Sequence, residues 1–193
     1  MRASAKRRGM RGFTLIELMM VVAIVGILAV LATYGVRKYI ANAKTAEAQN
    51  SLGTISRYAA AAFEKESLAG SVVPLGGKVT GARSLCPSAT ASVPKSAGSI
   101  KGSKYQSNPA EWAVDQKVNA GFACLKFEMD APQYYMYSYT SSGTGTPGAS
   151  YTAVANGDLD GNGVLSTFSI TGQVNADYVL NTAPNMLIIH PEE

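Results

Sequence analysis

The distribution of apolar and polar positions divides the chain into three unlike stretches. From Leu18 to position 36, 19 consecutive residues carry no charge. A run of that length approaches the roughly 20 helical residues needed to cross a bilayer core. It is apolar on every side, as a lipid-embedded helix should be. Further on the pattern changes. Leu52, Ile55, Ala59, Ala62 and Phe63 recur at spacings of three and four, between Asn50, Ser51, Thr54, Ser56, Glu64 and Lys65. That is a single apolar stripe on an amphipathic helix. No proline interrupts residues 13–67, so both patterns are expected on one long helix. "SLAGSVVPLGG" should end it, with Gly70 suited to a left-handed cap and Pro74 preventing resumption.

The third stretch is built of short segments. Residues 68–121 are rich in Gly, Ser, Pro and Lys and read as a long functional loop or one with minor elements. Trp112 is expected to pin part of it to the core. Residues 122–129 alternate, with Phe122, Cys124 and Lys126 opposite Ala123, Leu125, Phe127 and Met129. This predicts a first strand, followed by strands over 133–140, 151–156, 164–170 and 174–180. Each is bounded by Gly, Asn, Asp or Pro. No helical stretch long enough for a parallel crossover separates them. The expected fold is therefore α+β, an antiparallel sheet head resting on the second half of the helix.

Charge adds a direction to this plan. Arg2, Lys6, Arg7, Arg8 and Arg11 occupy the first 12 residues with no acid, whereas the remaining twelve Lys and Arg face all 13 Asp and Glu. The net charge of +4 thus belongs to the N-terminus. It argues for a topology signal rather than a nucleic-acid-binding face. Basic residues ahead of the apolar run would hold the N-terminus in the cytoplasm and export the rest, although Arg37 and Lys38 oppose this slightly. The residues after the run continue the helix rather than forming a signal-peptide cleavage site, so the membrane segment is expected to be retained. Cys86 and Cys124 fall in the exported part, where a disulfide is the natural reading. Two thiols and the lone His190 do not furnish four zinc ligands.

One acid, Glu17, sits at the edge of the membrane-grade run, within "RGFTLIEL". A carboxylate so close to hydrocarbon persists when it is paired. "RGFTLIEL" followed by an apolar helix resembles the type IV pilin family, with the match running from Gly12 through Ile27. The resemblance implies that a prepilin peptidase cuts between Gly12 and Phe13 on the cytoplasmic side and N-methylates Phe13. Phe13 to Glu17 counts one to five, the family's spacing to its glutamate. A neighbouring subunit would then present its new α-ammonium to Glu17, and in low dielectric that pair sets the register of assembly.

The resemblance also implies an organisation and a set of partners. A leader (1–12) would precede a transmembrane and filament-core half-helix (13–36) and an amphipathic half-helix (37–67). A loop region (68–121) and the sheet head with its C-terminal segment (122–193) would follow. The chain would rest in the inner membrane with its head in the periplasm, then polymerise with copies of itself into a surface filament. A membrane platform and a cytoplasmic ATPase are implied as further partners. The expected role is the structural subunit of a type IV pilus. The alternatives are a type II secretion pseudopilin and, in a different class, a membrane-anchored calcium-dependent binding module. The chain departs from the family pattern at Tyr34, where many relatives have proline, so a straighter helix is expected there despite Gly26 and Gly35. The cysteines also come earlier than in many relatives, so that a Cys86–Cys124 bond would staple the loop to the first strand.

Two further features bear on chemistry. In "NGDLDGNGVLSTF", Asp158, Asp160 and Asn162 alternate before Gly163 as in the start of a calcium loop, but Ser169 stands where a bidentate glutamate belongs. A tight Asp/Asn/Gly turn between strands fits the same residues. Calcium is therefore a candidate ligand, and no cofactor is required. In "YYMYSY", Tyr135, Tyr137 and Tyr139 share one strand face and Tyr134 takes the other, an arrangement suited to cross-strand packing. No nucleophile accompanies the single histidine and no Gly-rich phosphate loop occurs, so an enzyme is not expected.

Overall fold

The computed structural model describes residues 12–65 and 83–191. Residues 1–11 of the expected leader, and the expected helix stop at Gly70 and Pro74, lie outside the described residues. Contacts divide the chain into two units, Met1–Ile40 and Ala41–Glu193. In the first unit, every described residue is exposed. Helix α1 spans Leu15–Glu64, 50 residues, without a break at Gly26, Tyr34, Gly35 or Gly53. It is the one helix among the described residues long and apolar enough to cross a membrane.

The second unit holds the core. The predicted stripe is the buried face of α1: Leu52, Ile55, Ala59 and Phe63 are buried, Ala62 packs beside them, and Thr45, Ala48 and Ser56 extend the seam. Against it lies an antiparallel sheet of β1 (Tyr135–Ser142), β2 (Ser150–Gly157), β3 (Ser166–Val174), β4 (Leu180–Thr182) and β5 (Leu187–Ile189). The order is β1-β2-β3-β4, and β5 also pairs with β3, one end of which it covers while β4 covers the other. Tyr135, Tyr137 and Tyr139 point into the core, as their alternation requires. Tyr151 stands opposite Gly172 across β2 and β3, its ring occupying the space a Cβ would need. The Tyr151 hydroxyl is satisfied by Ser56 (2.9 Å) and Thr182 (3.1 Å), tying sheet to helix.

The connecting region contains more structure than a plain loop. It carries 3-10 turns at Ala97–Ile100 and Gln116–Val118, and α2 at Pro109–Trp112. Asn108 and Glu111 close α2 with a reciprocal capping box. Buried Trp112 donates from Nε1 to Ser107 Oγ at 3.0 Å and packs edge-on against Phe122 and Phe127. It pins the region as expected. Val93 and Tyr105 then form bridges to Tyr137 and Gln133, closing the β1 side of the sheet.

Two predicted strands are corrected. Residues 122–129 do not form a strand: Gly121–Leu125 is the short helix α3, ended by Lys126 in the left-handed conformation. Phe122 and Leu125, three apart, are both buried, so the helical spacing prevails over the alternation. The disulfide Cys86–Cys124 therefore staples the loop to α3 rather than to a first strand. Residues 174–180 are also mostly a turn. β3 runs on to Val174, and the Asn175 side chain then accepts from the backbone N–H groups of Asp177 and Val179, folding the chain before β4.

Candidate functional site

At the start of α1, Thr14 and Glu17 form a closed local unit. Glu17 Oε2 accepts from the Thr14 backbone N–H at 2.8 Å and from its hydroxyl at 2.7 Å. Thr14 Oγ1 in turn accepts from the Glu17 N–H at 3.4 Å. This is the Thr-x-x-Glu capping box, in which the two residues satisfy orphan N–H donors of the first turn. The acid also sits where the helix dipole favours negative charge. Gly12 and Phe13 precede the cap in non-helical backbone, and Phe13 is 81% exposed. Exposed Leu15, Ile16, Leu18, Met19 and Val22 follow, so the carboxylate borders an uncovered apolar surface. The capping box is legible in "TLIE", though an assembly role for Glu17 does not require it.

A second carboxylate, Glu47, lies on the margin of the packed half of α1. Its Oε1 accepts from the Tyr134 N–H at 2.9 Å and from the Tyr137 hydroxyl at 3.3 Å. It thereby clamps the helix to the first strand. Burial raises its pKa above the usual carboxylate value, against the lowering effects of those hydrogen bonds and of Lys104. Burial likewise pushes the Tyr137 hydroxyl well up, with the Glu47 charge adding to it. The Tyr134 ring stands 4.8 Å from both Lys44 Nζ and Lys104 Nζ, in cation–π contact with each. Sequence reasoning missed this clamp. Glu47 borders the apolar stripe, but its partners are 87 and 90 residues away.

The "GDLDGNG" segment folds as nested turns. Asp158, 2% exposed, accepts through Oδ1 from Gly161 N (2.7 Å) and through Oδ2 from Gly163 N (3.1 Å). Asp160 accepts from the Asn162 backbone and side chain, and Asn162 Oδ1 from Val164 N at 2.6 Å. Gly161 and Gly163 take positive φ, which glycine adopts without strain. The three candidate calcium ligands are thus close in sequence and already engaged in shaping the turn between β2 and β3. Among the described residues, no group of three or more His, Cys, Asp or Glu side chains is placed to hold a metal.

Residues 7–33 match the family described as "Prokaryotic N-terminal methylation motif". The match contains Gly12, Phe13, the Thr14–Glu17 cap and most of the exposed apolar run. It supports a type IV pilin-like prepilin, a structural class, processed by a prepilin peptidase. Together with the apolar helix it supports anchoring in a membrane. The long helix, antiparallel sheet and Cys86–Cys124 bond give the chain a pilin-like α+β architecture. No curated protein and no solved structure matches the chain.

Proposed function

We propose that the chain is the structural subunit of a type IV pilus. It would be stored in the inner membrane with its head in the periplasm, then polymerised through α1 into a surface filament. The observation that carries this reading is the uncovered apolar surface of residues 15–36 beside a processing motif. Such a surface is stable in lipid or against its own copies, and transfer between the two involves no net exposure to water.

Cleavage between Gly12 and Phe13 creates an α-ammonium one residue before the cap. In the unassembled subunit Glu17 is held by its own Thr14. On assembly the carboxylate turns to the Phe13 ammonium of a neighbour, and a wrong axial offset leaves both charges unmatched. The platform and the ATPase of a pilus machine are the partners this requires.

Recovery of the chain from filaments sheared off the cell surface tests the proposal. Abundant subunit there supports it. Absence from such filaments, with loss of protein secretion when the chain is deleted, would instead make it a secretion pseudopilin. A monomeric, chelator-sensitive head that binds a ligand would make it an anchored binding module.

A further inference from the structure

The head has a groove at one end and an uncovered strand towards the other. The groove, about 810 Å³, opens between the end of α1, residues 84–87, residues 118–126 and Thr144. Its floor includes Leu85, Leu125 and the disulfide, and its rim carries exposed Tyr58, Val118, Lys65 and Lys126. Among the described residues, no Asp or Glu lines it. It lies at the end of the sheet where β1 turns into β2, because Leu85 N donates to Thr144 O.

β5 lies towards the opposite end. It pairs with Thr167–Ser169 of β3, whereas the β1–β2 turn adjoins the Ser150↔Gln173 pair. Leu187, Ile188 and Ile189 are 60%, 42% and 43% exposed, so neither face of this strand is covered. A short, uncharged apolar edge of this kind is a template for association. In sequence His190 and Pro191 separate it from Glu192 and Glu193. Charge divides the same way along the chain. Residues 18–126 hold twelve Lys and Arg against five Asp and Glu, whereas residues 127–193 hold seven acids and no Lys or Arg.

We propose that the Lys65–Lys126 groove receives residues 187–193 of a second copy of this chain. The apolar strand would face the Tyr58, Val118 and Leu125 side chains, and Glu192 and Glu193 the two rim lysines. Groove and strand lie towards opposite ends of one sheet, so the contact joins unlike surfaces. It therefore repeats as an open array rather than closing as a two-fold dimer. This contact rests on the filament reading above. It supplies the head with a specificity that the apolar helix lacks, since matched charges select register and penalise like-charged neighbours.

Lysine acylation of the full chain, read by peptide mass spectrometry, tests the contact in detergent-solubilised subunits and in intact filaments. Lys65 and Lys126 should react readily in the subunit and about fivefold more slowly in the filament. Lys95, exposed and outside the groove, should react alike in both. Glu192→Lys with Glu193→Lys should abolish the protection or the filaments, and adding Lys65→Glu with Lys126→Glu should restore them. Equal reactivity in subunit and filament overturns the contact. So does protection already present in the solubilised subunit, which would mean that the chain's own residues cover the groove. Protection that survives charge reversal assigns the groove to another occupant. Absence of the chain from filaments overturns the filament reading itself.

Discussion

Glu47 offers a quantitative test of how the helix is held to the sheet. In Glu47→Ala, the Tyr134 N–H and the fully buried Tyr137 hydroxyl both lose their acceptor. An unsatisfied buried donor costs about 1–3 kcal/mol, and the half-buried Tyr134 amide falls at the low end because water can reach it. The sum is about 2–4 kcal/mol. For a unit of this size, that lowers Tm by roughly 5–15 °C. Glu47→Gln keeps an oxygen acceptor in the same place and removes only the charge. Burial is what raises the Glu47 pKa, so the folded state binds its proton more tightly than the unfolded chain does. Its effect on stability is therefore most favourable below the unfolded value of about 4.3 and declines as pH rises towards the folded value. Glu47→Gln should remove that decline and be at least as stable as the native chain at neutral pH. Thermal unfolding of the full chains in detergent, followed by Trp112 fluorescence across about pH 4 to 7, measures both effects. The reasoning fails if Glu47→Gln is as damaging as Glu47→Ala. It also fails if the difference between the native and Glu47→Gln curves does not change with pH.

Glu17→Gln retains a capping-box residue at its position but loses the charge, whereas Thr14→Ala loses the cap and keeps the charge. The assembly account predicts few filaments from Glu17→Gln and from Glu17→Ala, and near-normal yield from Thr14→Ala, in counts of sheared filaments. Normal yield from Glu17→Gln would reduce Glu17 to a cap. Replacing Cys86 and Cys124 together by Ser releases a bond with a sequence separation of 38. In the chain-entropy model that removes about 4 kcal/mol, a fall in Tm of about 10 °C by calorimetry. No fall would mean that the tertiary packing around α3 suffices. If the Asp158–Gly163 turn is complete without a metal, added calcium leaves Tm unchanged and EDTA has no effect. A calcium-dependent rise of several degrees, lost in Asp160→Ala, would support the calcium-loop reading.

Much of this plan was legible because it rests on long, periodic signals. The uncharged run and the Leu52–Phe63 stripe each extend over several turns, and the tyrosines of β1 keep strict alternation. What misled was short. "FACLKFEM" alternates over eight residues, yet Phe122 and Leu125 also satisfy a helical spacing, and Lys126 in the left-handed conformation closes one turn of helix. At that length periodicity does not separate the two. The end of β3 was missed because Asn175 caps a turn inside an otherwise β-rich segment. β5 was missed because its pairing with β3 is long-range and its three apolar residues do not alternate with polar ones. At the N-terminus the methylation motif matched over residues 7–33 was legible in "RGFTLIEL", and so was the disulfide pair. The Glu47 clamp was not, since nothing near position 47 announces Tyr134 and Tyr137.

The central claim is that the chain is cut between Gly12 and Phe13 and polymerises. Intact-mass spectrometry of the subunit in filaments sheared from the cell surface tests it most directly. The account predicts one species beginning at Phe13, carrying an N-terminal methyl group and an intact Cys86–Cys124 bond. A subunit still beginning at Met1, or filaments that do not contain this chain, would contradict it.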